Sequence, residues 1–365
     1  MKKILIVGAF IGFNLISYAQ VENNAVSGSE VDQATMDSLG LVNPKIAETY
    51  NLGVKSLSAG NDIQAIQKFT EVILMDANNS LAYFNRGVAH QNLGKTEDAI
   101  KDFDNSSKLD PQNGMTFYMK GMACIENETY DVAANAFNKA YSTDPTLEKA
   151  AYYEGVAFFQ MEEYDKAIKS FDKAISIKSD YAYAYNDRGS VKLKQDNIDG
   201  AIADYKYAIN IDKNLSFAYN NLASAYRKKG DFVAADKYYT QAIKQKPDYY
   251  VAYNNRGTAK FENGDYTGAL VDFKKATSIE PSYAFGYNNQ ATALIKLERY
   301  KEAIEVCNKA LELYPEYMEA FFNRGIAKEM LKDLKGACAD WEDAFILGSE
   351  NAEKYINSPA CTSSN

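Results

Sequence analysis

Histidine is almost missing from this chain: His90 is the only one among 365 residues. A Ser-His-Asp or Cys-His nucleophile could be assembled only around it, and its place at a packing position favours a structural role. Proline is scarce, at 7, and tryptophan occurs once. So few breakers suit long stretches of packed helix. The 4 cysteines, Cys124, Cys307, Cys338 and Cys361, form no CxxC pair and no Cys/His spacing of a metal site. A surplus of positive charge is also missing. The formal net charge of −9 argues against a nucleic-acid surface built on bulk attraction to phosphate. No GxxxxGK[ST] stretch offers a phosphate loop. The composition therefore points to no catalytic residue, no metal, no cofactor and no small-molecule substrate.

What the chain does have is tyrosine, 28 of them, and order. The first residues read as an export signal. Lys2 and Lys3 precede an apolar run from Ile4 to Ile16, and Ser17-Tyr18-Ala19 places small residues where a signal peptidase reads. The run is short for a membrane span, so an uncleaved anchor is the lesser alternative. Residues 1–19 are expected to be a signal peptide and 20–45 a polar, acidic, flexible leader. Removing Lys2 and Lys3 takes the net charge from −9 to −11. Export permits disulfides. Cys338 and Cys361 are the pair to examine, although spacing does not fix connectivity.

From residue 46 a period of 34 takes over. A small residue recurs at Gly53, Gly87, Gly121, Gly155, Gly189, Ala223, Gly257, Ala291 and Gly325. Twelve residues after each stands an alanine, Ala65 through Ala337, and four further on a bulkier side chain: Phe69, Phe103, Phe137, Phe171, Tyr205, Tyr239, Phe273, Cys307 and Trp341. Pro111, Pro145, Pro247, Pro281 and Pro315 close five units by disfavouring helix in the residue before them. Nine units follow without insertion: 46–79, 80–113, 114–147, 148–181, 182–215, 216–249, 250–283, 284–317 and 318–351. Each reads as two amphipathic helices around a turn such as Gly60-Asn61, Gly230-Asp231 or Gly264-Asp265. Small residues at unit positions 8 and 20 let the two backbones approach. Residues 352–365 are expected to hold a capping helix and a tail, the helix opening near Glu350.

This pattern resembles the tetratricopeptide repeat family. The resemblance implies an all-α solenoid, a right-handed superhelix of helix pairs whose first helices line a concave groove. It also implies a protein or peptide partner, with no nucleic acid and with membrane contact only through that partner. Self-association is a further option.

Two patterns refine the reading. Units with Arg at position 7 (Arg86, Arg188, Arg256, Arg324) are the units with Asp at position 23 (Asp102, Asp204, Asp272, Asp340). This suggests an Arg–Asp fork joining the two helices of a unit. In the first four units position 5 is aromatic (Tyr50, Phe84, Tyr118, Tyr152) and position 9 apolar (Val54, Val88, Met122, Val156). They form either an apolar binding or self-association surface or the filling of a tight superhelix. In units five to eight position 5 is Asn186, Asn220, Asn254 and Asn288, with Ser190, Ser224, Thr258 and Thr292 at position 9. Position 6 is asparagine in six units: Asn51, Asn85, Asn221, Asn255, Asn289 and Asn323. This row resembles the asparagine ladder in the repeat domain of O-GlcNAc transferase, which implies recognition of an extended peptide backbone by amides that both donate and accept. The alternative is that these amides bond to neighbouring helices. No unit pairs Lys at position 5 with Asn at position 9, so a carboxylate clamp is rejected. The expected function is a scaffold in the bacterial cell envelope, in the periplasm first and secreted or outer-membrane-associated second. The alternative is a chaperone holding unfolded clients.

Overall fold

A computed structural model describes residues 44–358 and Cys361. The expected signal peptide, and the leader as far as residue 43, lie outside the described residues. Pro44 and Lys45, read as leader, instead open the first helix; proline suits a helix start because the first N–H has no partner to lose.

The described chain is helical throughout, and it divides into two compact units, one ending at Gln195 and the other beginning at Asp196. In the first unit lie α1 (Pro44–Ser58), α2 (Asp62–Met75), α3 (Ser80–Asn92), α4 (Thr96–Leu109), α5 (Gly114–Glu126), α6 (Tyr130–Thr143), α7 (Glu148–Gln160), α8 (Tyr164–Ile177) and α9 (Ala182–Lys194). In the second lie α10 (Ile198–Ile211), α11 (Ser216–Lys229), α12 (Phe232–Gln245), α13 (Tyr250–Glu262), α14 (Tyr266–Ile279), α15 (Ala284–Lys296), α16 (Tyr300–Leu313), α17 (Met318–Met330), α18 (Leu334–Ile346) and α19 (Glu350–Ile356). Within each unit every helix packs on the next in sequence, the packing of a tetratricopeptide solenoid.

The local chemistry explains the pairs. The aromatic side chain at position 24 fills the gap left by the small residue at position 8. A Cβ on Gly121 would stand 2.6 Å from the Phe137 ring, closer than carbon atoms approach. Side-chain caps start many helices: Asn79 accepts from the Ala82 amide, Asp231 from Ala234 and Asp265 from Gly268. The turn residue at position 15 is left-handed in all nine repeats. Gly60, Gly94, Gly230 and Gly264 adopt it freely, while Glu128, Glu162, Asp196, Glu298 and Lys332 adopt it at φ between 55 and 68.

The cap is α19, which begins two residues before the expected boundary at 352 and is started by Ser349. Its Tyr355 rests on Trp341 at 4.5 Å between ring centroids, and Cys361 joins Cys338 of α18 in a disulfide. Apolar side chains of the last repeat are thereby covered.

The first-helix face as candidate functional site

The asparagines at positions 5 and 6 are buried, and they bond to one another. Asn255 donates its amide to Asn220 Oδ1 at 3.0 Å, Asn289 to Asn254 at 2.9 Å, and Asn323 to Asn288 at 2.9 Å. The bond always runs from position 6 of one repeat to position 5 of the repeat before. Earlier in the chain Asn85 donates to the Tyr50 hydroxyl at 2.7 Å, and the Tyr152 hydroxyl donates to Asp187 at 2.6 Å. Asn186 donates to Asp187, and Asn220 reaches Asn221 beside it at 3.4 Å. Asn51 is half-buried. The asparagine row is therefore a seam between neighbouring first helices. This corrects the reading of an open row of amides, because each side chain lies between two helices and is satisfied there.

The seam had a signal in the sequence. The polarity of position 5 predicts that of position 6 in the next repeat. Asn follows Asn from Asn220 to Asn323. Phe84 is followed by Met119, and Tyr118 by Tyr153, whose rings lie 6.1 Å apart. The hydroxyls at position 9 also turn inward. Thr258 and Thr292 donate to the backbone oxygens of Asn254 and Asn288, and Ser190 and Ser224 to those of Asn186 and Asn220.

The apolar set is core. Tyr50, Phe84, Tyr118, Tyr152, Val54, Val88, Met122 and Val156 are all buried. Each position-5 ring packs on the position-24 ring of its own repeat, with centroids 5.7–5.9 Å apart (Tyr50–Phe69, Phe84–Phe103, Tyr118–Phe137, Tyr152–Phe171). The expectation of an apolar binding surface is corrected accordingly. Burial raises the Tyr50 hydroxyl to about 12 against the opposing effect of Asn85.

Three of the four expected forks form. Arg86, Arg256 and Arg324 each grip both oxygens of Asp102, Asp272 and Asp340 through Nε and Nη2, at 2.6–3.1 Å. Arg188 and Asp204 belong to different units of the chain; within its own unit Arg188 bonds Asp172 at 2.5 Å. That last contact belongs to a pattern the sequence reading missed. Position 7 of each repeat reaches position 25 of the repeat before: Arg86 to Thr70, Lys120 to Asp104, Arg256 to Thr240 and Arg324 to Asn308. In the fourth repeat the polarity reverses, and Glu154 accepts from Asn138. The arginine thus ties three helices. Lys260 and Lys328, at position 11, add a second cation to Asp272 and Asp340 at 2.8 Å. His90 takes that place beside Asp102, at 3.8 Å, and burial lowers its pKa against the upward pull of Asp102.

Solvent is met instead at position 13, where Asn92, Glu126, Lys194, Lys228, Glu262 and Lys296 are exposed, and at position 2 by Tyr183. Along this rim, position 12 bonds to position 13 of the next repeat: Gln91 to Glu126 at 3.0 Å and Arg227 to Glu262 at 2.8 Å. Among the described residues no group of three or more His, Cys, Asp or Glu could hold a metal ion, and no helix is long and apolar enough to cross a membrane.

Models of the tetratricopeptide repeat match residues 80–113, 116–147, 216–249, 250–283 and 284–317, and a model described as a TPR repeat matches 155–196. The chain belongs to the tetratricopeptide-repeat family. Four of these matches share their ends with the second, sixth, seventh and eighth 34-residue units. The tetratricopeptide-repeat chain is similar to a solved tetratricopeptide repeat protein from Parabacteroides merdae, at 18% identity and TM-score 0.54 over 69% of this chain and 100% of that one. It is similar to the C-terminal part of a TPR repeat-containing protein from Cytophaga hutchinsonii, at 19% and 0.53 over 66% and 100%. It is also similar to PilW, described as a widely conserved type IV pilus biogenesis factor, at 22% and 0.53 over 57% and 96%. At these identities the likeness is one of fold. A comparison with curated proteins finds no match.

Proposed function

We propose that this tetratricopeptide-repeat protein is a non-catalytic scaffold that binds an extended segment of a partner protein along its first-helix face, in the bacterial cell envelope after export. The observation that carries the reading is the regular rank of first helices, locked in step by the asparagine seam, with position 13 facing solvent in nearly every repeat. A rigid row of equivalent positions suits a ligand that is itself extended and periodic. Recognition then falls to the exposed rim, with the buried amides setting its spacing. The Cys338–Cys361 disulfide fits an oxidising compartment and so supports export. The chaperone alternative needs an apolar groove, and the side chains that would have lined it are buried core.

The test is capture from a cell-envelope extract with three baits: the wild-type chain, Lys194→Ala/Lys228→Ala/Lys296→Ala on the rim, and Val233→Ser/Val271→Ser on exposed second-helix positions. Wild type and the second-helix variant should retain one discrete partner that the rim variant loses. Loss only in the second-helix variant would move the site off the first-helix face.

A further inference from the structure

One residue breaks the rule of the seam. Asp187 stands at position 6 of the fifth repeat, where six other repeats carry asparagine. It is 8% exposed. Its oxygens accept from the Tyr152 hydroxyl at 2.6 Å and from the Asn186 amide at 2.9 Å, both neutral donors. Among the described residues no lysine, arginine or histidine forms an ion pair with it. Its carboxyl is pushed up to about 6 because burial outweighs those two hydrogen bonds. An asparagine would accept the Tyr152 proton equally well and carry no charge to desolvate. The carboxylate is thus the less stable choice for the seam, and a local rule broken at a cost is characteristic of functional sites.

The surroundings suit one kind of ligand. The rings of Tyr152 and Tyr153 lie 5.0 Å apart, and those of Tyr152 and Tyr181 5.1 Å. Glu148 and Asp187 both act on the Tyr181 hydroxyl, so the pocket wall is negative. Tyr183 lies one turn before Asp187 on the same helix face and is 40% exposed, giving the position a side open to solvent. The chain already places an ammonium on this wall: Lys178 Nζ lies 5.4 Å from the Tyr181 ring centroid. Aromatic faces beside a desolvated carboxylate favour a cation over any neutral or anionic group.

We propose that Asp187, with the faces of Tyr152 and Tyr181, receives one cationic side chain, a lysine or arginine, from the extended segment bound along the first helices. The proposal rests on the scaffold reading and adds a residue preference at one point of the ligand. Its energetic logic is exchange: the buried charge gains in the complex the partner it lacks in the free chain.

The experiment uses an array of randomised 12-residue peptides probed with the purified full chain, wild type and Asp187→Asn. Wild type should enrich lysine or arginine at a single position. Replacing that residue by norleucine in a retained peptide should weaken binding about 10-fold or more, the factor equivalent to about 1.4 kcal/mol. Asp187→Asn should lose the enrichment while keeping its helical content. Peptides retained without cationic enrichment, an indifferent norleucine swap, or enrichment that survives in Asp187→Asn would each overturn the proposal and leave the scaffold reading standing. No peptide retained at all would remove both. The norleucine comparison needs no variant, so it decides the matter even if Asp187→Asn fails to fold.

Discussion

Replacing Asp187 by asparagine should stabilise the fold near neutral pH and leave it unchanged in acid. The carboxyl goes from an ordinary 3.8 to about 6 on folding because burial disfavours its charged form. A raised folded-state pKa means that the native state holds its proton more tightly than the unfolded chain does. The stabilisation this represents is fully present below about pH 4 and is lost as the pH rises through 6. Two units at about 1.4 kcal/mol each give about 3 kcal/mol as the upper size of the loss. The residue is 8% exposed, so screening by solvent removes little of it. Asparagine does not titrate. The difference between variant and wild type should therefore open from near zero at pH 4 toward about 3 kcal/mol at pH 7. Repeat arrays need not unfold in one step, so the assay is native-state hydrogen exchange of the α9 amides, with thermal melts beside it. Parallel pH profiles for the two proteins would refute the reasoning, because they would mean that Asp187 is as well solvated folded as unfolded.

Arg256→Ala should cost about 3 kcal/mol by leaving Asp272 buried beside Lys260 alone, and should lower the denaturant midpoint, whereas a loss below about 0.5 kcal/mol would make the three-helix tie ornamental. Asn289→Ala should cost about 1–2 kcal/mol, since Asn254 Oδ1 loses its donor in a buried seam; exchange protection of α13 and α15 is the measure. Glu298→Gly should raise stability by about 0.5–1 kcal/mol, as relief of a left-handed residue exceeds the added chain entropy, and a lowered melting temperature would count against it. Cys361→Ser opens a loop of sequence separation 23 and should loosen the C-terminal cap by about 3 kcal/mol, seen as faster proteolysis beyond α18.

The pairing of helices, the place of each turn and the Arg–Asp forks were legible in residue spacing because each is confined to one 34-residue unit. A small residue at position 8 and a ring at position 24 must meet whatever lies outside. The left-handed turns at Gly60 and Gly230 were legible for the same reason; those at Glu128 and Glu298 were not, because nothing in a glutamate announces a positive φ.

What lies inside and what lies outside was settled only by the stacking of repeats. Tyr50 and Asn255 sit on first-helix positions that a lone helix pair would expose, and the neighbouring repeat covers them. The reach of Arg86 to Thr70 and of Lys120 to Asp104 likewise joins residues of different repeats. Asp187 shows the division plainly. The sequence alone determines that an acid stands where its equivalents are amides. Tertiary packing alone decides that this acid is buried, bonded to Tyr152 and Asn186, and without a cation, because burial is a property of neighbours and not of the residue.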